Sequence, residues 1–193
     1  MRILRPLTIC VVLSVSLPIL ASCSSNGSSP TPTISGSQAP APGSQEGVHS
    51  VADTDYEQIA LAVDTTQVQL DDVAADPARK ASPAVLAIAK QSAATVGPEA
   101  TTLRAKLVKD GNATTSDHHK PAVSSGQVDA LKQLSGTAFD TAWARAMISL
   151  NEQVIAAAVT EMNVGEDQTT RAMARAKIDY ASAQNGALRP IAK

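Results

Sequence analysis

Aromatic side chains are nearly missing from this chain: one Phe, one Trp and two Tyr make up 2% of its 193 residues. Sheets draw on β-branched and aromatic side chains, so this scarcity argues against a β-rich core. Cysteine is as scarce, with Cys10 and Cys23 the only two. Basic excess is also missing: 16 basic against 18 acidic residues give a formal charge of -2, and no positive field attracts nucleic acid. The chain has no Gly-x-Ser-x-Gly elbow and no Gly-rich phosphate loop, which removes the usual signatures of acyl transfer and nucleotide binding. Its periodic segments contain no Glu-x-x-His pair, so a di-iron oxidase of the bundle type is unsupported. No enzymatic activity and no cofactor are expected.

What the chain does have is Ala, within a hydrophobic fraction of 44%. Ala is the strongest helix former, and small side chains let helices approach closely. The expected class is all-α.

The amino terminus reads as a targeting segment. Arg2 and Arg5 precede an apolar run from Leu7 to Leu20, which is shorter than the roughly 20 residues that cross a bilayer. Leu20, Ala21, Ser22 and Cys23 follow, and this run resembles the lipobox of bacterial lipoproteins. The resemblance implies cleavage before Cys23, a diacylglyceryl group on its sulfur, and acylation of the new amino terminus. Residues 1–22 are then a signal peptide, and the mature chain keeps no cysteine pair for a disulfide. One acyl chain binds a membrane only marginally, whereas two or three make a durable anchor. The expected location is the outer face of the cell membrane, with the membrane as partner through the covalent lipid.

Removing residues 1–22 leaves 14 basic and 18 acidic residues. A weakly acidic body should stand away from an anionic surface. Residues 23–54 form the expected tether: Ser24 to Thr54 is rich in Ser, Gly, Pro and Thr without apolar periodicity, so ordering it gains too little to offset the entropy lost. Such a coil reaches roughly 30 Å.

From Asp55 to Pro190 the pattern becomes helical. Ile59, Val63, Thr66, Leu70 and Val73 fall at steps of four and three, which predicts one face of a helix with Asp64, Gln67, Asp71 and Asp72 on the polar face. Ser82 and Pro83 are an N-cap and first-turn pair for a second helix. It carries Val85, Ile88, Ser92, Leu103 and Leu107, with a kink or break expected at Gly97-Pro98. A loop from Lys109 to Gly126 leads to a short helix, "QVDALKQL". The longest helix, about Ala138 to Met162, presents Phe139, Trp143, Ala146, Leu150, Val154 and Ala157, then Glu161 or Met162. Phe139, Trp143 and Met147 are read as core, and Asp140 as a cap at the start of its own helix. Gly165 suits a helix C-cap. The last helix, about Asp167 to Asn185, presents Met173, Ala176, Tyr180 and Ala183. Four long helices with short connections predict an antiparallel four-helix bundle.

The spacing of Ser82, Pro83, Val85 and Ala89, followed by "LSGTAFDTAW", resembles a bacterial envelope family, domain-of-unknown-function family 4142. Leu134, Ser135, Gly136, Ala138, Phe139 and Asp140 match its pattern, and Trp143 stands where Tyr is usual. The resemblance implies a ferritin-like bundle. It also implies His residues near the ends of three helices, at positions that fall here on Val96, Asn151 and about Gln184. A metal site on those His residues would be lost.

The weak metal candidates left are Asp117, His118 and His119, two or three ligands from one loop. Adjacent residues converge on one ion only where the backbone turns sharply, so a solvated loop is the simpler reading. Three functional classes remain open. One is a noncatalytic lipoprotein whose bundle binds an envelope protein or ligand, or serves a structural role. Another is a carrier for a small apolar ligand with its mouth at Gly97-Pro98. The third is a metal-binding protein of ferritin-like ancestry.

Overall fold

The computed structural model describes residues 49–114 and 119–193. Among these the chain is all-helical, without strands. Five α-helices follow in order: α1 (Val51–Ala75), α2 (Pro83–Lys109), α3 (Ser125–Leu131), α4 (Gly136–Val164) and α5 (Gln168–Leu188), with a 3-10 turn at Pro77–Arg79. The signal peptide, Leu20, Ala21, Ser22 and Cys23 lie outside the described residues, as do Asp117 and His118.

The starts of α1 and α2 are set by local chemistry. Ser50 and Asp53 form a capping box at α1: the Ser50 hydroxyl accepts from the Asp53 N–H, and the Asp53 carboxylate accepts from the Ser50 N–H at 2.5 Å. The helix therefore begins at Val51, four residues ahead of the expected linker boundary, because Ser50 acts as a cap rather than as spacer. Ser82 caps α2 with Pro83 in the first turn, as the Ser-Pro pair predicts.

Asp140 does not cap its own helix. Its carboxylate instead accepts from the Ser82 N–H at 3.2 and 3.3 Å, so α4 holds down the start of α2. Nor is α2 broken at Gly97-Pro98; it runs continuously from Pro83 to Lys109. Thr101 and Thr102 donate to the carbonyls of Gly97 and Pro98, and packing of both flanking halves outweighs the one backbone donor that Pro98 lacks.

Two helical pairs make the scaffold. α1 lies along α2 and α4 along α5, and α1 also packs on α4. Between them lies an apolar layer of Leu70, Leu107, Phe139, Trp143, Met147 and Leu150, all fully buried. Burying an aliphatic or Phe side chain of this kind contributes about 1.5–3 kcal/mol. Ala60, Ala144, Ala158, Ala174 and Ala181 are buried at the crossings, and this is where the Ala-rich composition serves close approach. The Trp143 indole N–H donates to the Leu70 carbonyl at 3.0 Å, tying α4 to α1.

Two expectations about faces fail. In α1 the residues assigned to the solvent face, Asp64, Gln67 and Asp71, are buried, while Asp72 is exposed. In α5 the buried stripe is Thr170, Ala174, Lys177, Ala181, Gln184, Asn185 and Leu188, not Met173, Ala176, Tyr180 and Ala183. Both errors have one cause. Polar side chains of α1 and α5 meet partners inside, so burial does not follow hydropathy there.

Candidate functional site

The buried polar groups of α1 recur at helical spacing: Asp53, Glu57, Asp64, Gln67 and Asp71, with Ala60 filling the gap. They form a seam along the inside of the scaffold, and successive turns of α5 face it with Thr170, Lys177, Gln184 and Asn185.

At one end, the start of α1 meets the end of α2 and the α4–α5 connection. The Lys106 ammonium lies 2.9 Å from Glu57 Oε1, 2.9 Å from Asp110 Oδ2 and 3.5 Å from Asp167 Oδ2. Burial works against its charge, but Asp110 and Glu57 hold it more firmly protonated than an ordinary lysine. Thr170 Oγ1 donates to Glu57 Oε1 at 2.8 Å. A groove of about 710 Å³ opens over this cluster, lined by His49, Thr102, Lys106, Lys109, Asp110 and Asp167. His49, Glu57 and Asp110 each bring a ligand atom within 4.8 Å of the others, which makes them the one candidate metal group among the described residues.

Beneath that groove lies a carboxyl pair. Burial tends to raise Asp53, but hydrogen bonds from Ser50, Glu161 and the Asp167 N–H keep it well below the ordinary carboxylate range. Glu161 is the converse: burial, then Asp53, then Glu57 push it up to about 8. Glu161 is thus neutral near pH 7 and Asp53 ionised. Gly165 sits directly against the Glu161 carboxyl, and a Cβ there would require that carboxyl to move. Its backbone is extended (φ -67°, ψ 147°), so its role is space and not the left-handed cap that its sequence position suggests.

Midway along the seam, Lys177 Nζ is held by Asp64 at 2.9 and 3.1 Å and by Glu99. Burial raises Asp64 to about 6 despite Lys177. The next turn carries an amide network: Gln67 Nε2 donates to Asn151 Oδ1 at 2.6 Å, and Asn151 Nδ2 donates to Gln184 Oε1 and Asn185 Oδ1, both at 2.8 Å. Two of the positions where the family 4142 resemblance implies lost histidines, Asn151 and Gln184, are therefore in direct contact. The third, Val96, is buried. Amides are satisfied by one another here, a use that needs no ion.

His119, from the loop expected to hold a weak metal site, lies 3.2 Å from Asp55 Oδ1. It is engaged with the outer face of α1. The sequence singled out none of Lys106, Lys177 or Glu57, since each sits singly in a polar-looking stretch; Glu161 falls on the inward stripe expected for its helix, where it is buried, but without a role. The signal available was their phase: Asp53, Glu57, Asp64, Gln67 and Asp71 share one helical stripe, as Thr170, Lys177 and Gln184 do.

A family model described as "Domain of unknown function (DUF305)" matches residues 53–190. The matched family is not family 4142, and the anchors of that resemblance show why they discriminate poorly: Ser82-Pro83 and Ser135-Gly136 are both helix starts, a signal that recurs wherever helices begin. The fold is similar to a crystal structure from Streptomyces coelicolor, described as a presumed secreted DUF305 protein. The two chains share 13% identity and a TM-score of 0.64, over 71% of this chain and 89% of that one. At that identity the likeness is one of fold. No curated protein matches the chain.

Proposed function

We propose, the chain belonging to the DUF305 family, that it is a lipid-anchored envelope module whose helical domain binds without catalysing. Residues 1–22 act as a signal peptide, Cys23 carries the lipid, and the segment up to Ser50 tethers an antiparallel, ferritin-like four-helix bundle at the outer face of the cell membrane. The observation that carries this reading is the run Leu20-Ala21-Ser22-Cys23 directly behind a short apolar segment. The secreted description of the Streptomyces coelicolor protein agrees with an extracytoplasmic site. Among the described residues no helix is long and apolar enough to cross a membrane, so attachment in this reading rests on the lipid.

Noncatalytic binding is supported by how the seam is wired. Lys106 and Lys177 are both locked in ion pairs, so neither is free to act as base or nucleophile. The groove over Lys106 is the proposed contact for an envelope protein or ligand. The test is incorporation of a labelled fatty acid: the native protein takes up label, and Cys23→Ala does not. Continued labelling of the variant overturns the anchor.

A metal-binding reading has one observation in its favour, the closeness of His49, Glu57 and Asp110. Lys106 stands against it, since its ammonium already neutralises two of the three. Elemental analysis of the purified protein separates the readings: stoichiometric transition metal supports the second, and trace metal sinks it.

A further inference from the structure

Two walls of the groove over Lys106, His49 and Asp110, converge on a buried carboxylate. That carboxylate is Glu57, fully buried, whose Oε1 accepts from both the Lys106 ammonium and the Thr170 hydroxyl. Its Oε2 has no hydrogen bond. The Thr170 hydroxyl does not serve it, because its single proton is shared between Glu57 Oε1 and Asp167 Oδ2. Unpartnered oxygens also occur on Asp71 and Glu161. What sets Glu57 apart among the described residues is convergence: His49 from the segment ahead of α1 and Asp110 from the end of α2 each bring a ligand atom within 4.8 Å of its own and of each other.

His49 Nε2 stands 3.8 Å from Glu57 Oε2. Nitrogen and oxygen ligands on a tetrahedral zinc ion are roughly 3.3–3.5 Å apart, so a closure of about 0.5 Å suits this pair. Asp110, exposed at the end of its helix, is free to turn toward them. Behind the imidazole, Asp167 Oδ2 lies 3.7 Å from Nδ1, the placing of a carboxylate that orients a metal-bound histidine and fixes its tautomer. Charge points the same way. Three carboxylates, Glu57, Asp110 and Asp167, face the one Lys106 ammonium, and the rim Lys109 is offset by the buried Asp53. Two formal negative charges remain. Lys106 takes one oxygen of Glu57 and one of Asp110, which leaves the second oxygen of each for another cation.

We propose that His49 Nε2, Glu57 Oε2 and Asp110 form an exchangeable site for a divalent ion of borderline softness, zinc being the type case, with water from the groove as the fourth ligand. One imidazole nitrogen and two carboxylate oxygens suit that class. Calcium and magnesium, which take oxygen ligands, are disfavoured. The inference rests on the metal-binding reading above for its ligands and differs from it in occupancy. With three protein ligands and an ammonium close by, the ion comes and goes with its concentration in the medium and is not held through purification. When bound, it ties the segment ahead of α1 to α1 and to the end of α2.

The test is titration of the tag-free, isotope-labelled full-length chain with zinc chloride at neutral pH, after dialysis against chelator and then metal-free buffer, following the His49, Glu57 and Asp110 amide resonances. Saturable shifts at these three residues are expected at micromolar zinc. Calcium and magnesium chlorides at the same concentration should leave them in place. His49→Gln should weaken binding by at least about tenfold, the smallest loss seen when even a group that merely orients a ligand is removed. Asp110→Asn, on an exposed side chain, should weaken it several-fold, and His119→Gln should leave it unchanged. Trace metal in the protein as purified is the result expected here, although it sinks the resident-metal reading. No saturable zinc shift in the dialysed chain, an equal response to calcium or magnesium, unchanged affinity in His49→Gln or Asp110→Asn, or loss of binding in His119→Gln would overturn the proposal.

Discussion

The Lys177 ammonium lies 2.9 Å from Asp64 Oδ1, with neither side chain more than 5% exposed, and this pair joins α5 to α1. Removing one member of a buried pair leaves an uncompensated charge, which costs about 3–5 kcal/mol. Lys177→Ala should therefore lower the urea midpoint sharply. The double variant K177M/D64L should recover most of the loss, because Glu99 at the rim can turn to water. A double variant as unstable as Lys177→Ala alone would refute this account.

Stability should fall as pH rises from about 4 to about 8. Glu161 titrates at about 8 in the fold against an ordinary 4.5, and Asp71 at about 7 against 3.8. Their folded values are raised, so in that window the folded chain retains protons that the unfolded chain has released, and unfolding gains ground with pH. The opposite sign belongs to Asp53, whose depressed value contributes stability that is lost only as pH falls below the ordinary carboxylate range. Thermal midpoints of the Glu161→Gln variant should decline less across the same window than those of the native chain. Parallel declines would remove Glu161 from the account.

Gly165→Ala should destabilise through Glu161 alone. The backbone there suits any residue, and the added methyl meets the Glu161 carboxyl. Overpacking of this kind costs about 1–3 kcal/mol. In a Glu161→Ala background the same substitution should be nearly neutral, and the double-mutant cycle reads the coupling. Equal costs in both backgrounds would point to the backbone.

Pro98→Ala should stabilise. Pro98 is exposed within a continuous α2, and Ala restores a backbone donor and relieves the ring's clash, an effect of up to about 3 kcal/mol less the entropy gained by the unfolded chain. Chemical denaturation checks this directly. A lower midpoint would mean that α2 uses the irregularity.

Asp140→Ala should cost about 1–2 kcal/mol, since it removes the acceptor for the Ser82 N–H at the start of α2. Asp72→Ala, on an exposed carboxylate one turn from Asp76, should be near neutral. Comparing the two midpoints separates a tertiary role for Asp140 from general loss of charge.

These effects follow from what hydropathy does and does not encode. Phe139, Trp143, Leu150 and Val154 were legible as core because apolar residues at steps of four, seven and four have one place to go. Ser82-Pro83 was legible because a cap acts over three residues. The seam was not legible in the same way: Asp64 looks like a solvated residue until Lys177, on another helix, is brought against it. A stripe of five polar positions on α1 facing four on α5 is a tertiary pattern, and reading each helix alone assigns both stripes to water. Gly165 was read for its conformational freedom, whereas the fold uses its lack of a side chain. The lipobox run lies outside the described residues, and its legibility rests on sequence alone.

Trp143 has a further use. It is the sole tryptophan of the chain, fully buried, and its indole N–H bonds a carbonyl of α1 from its place on α4. Its fluorescence therefore reports on one contact, that between the first and second helical pairs. A red shift of emission that precedes loss of far-ultraviolet ellipticity would reveal the two pairs separating while each remains helical, a distinction that a chain with many tryptophans would blur.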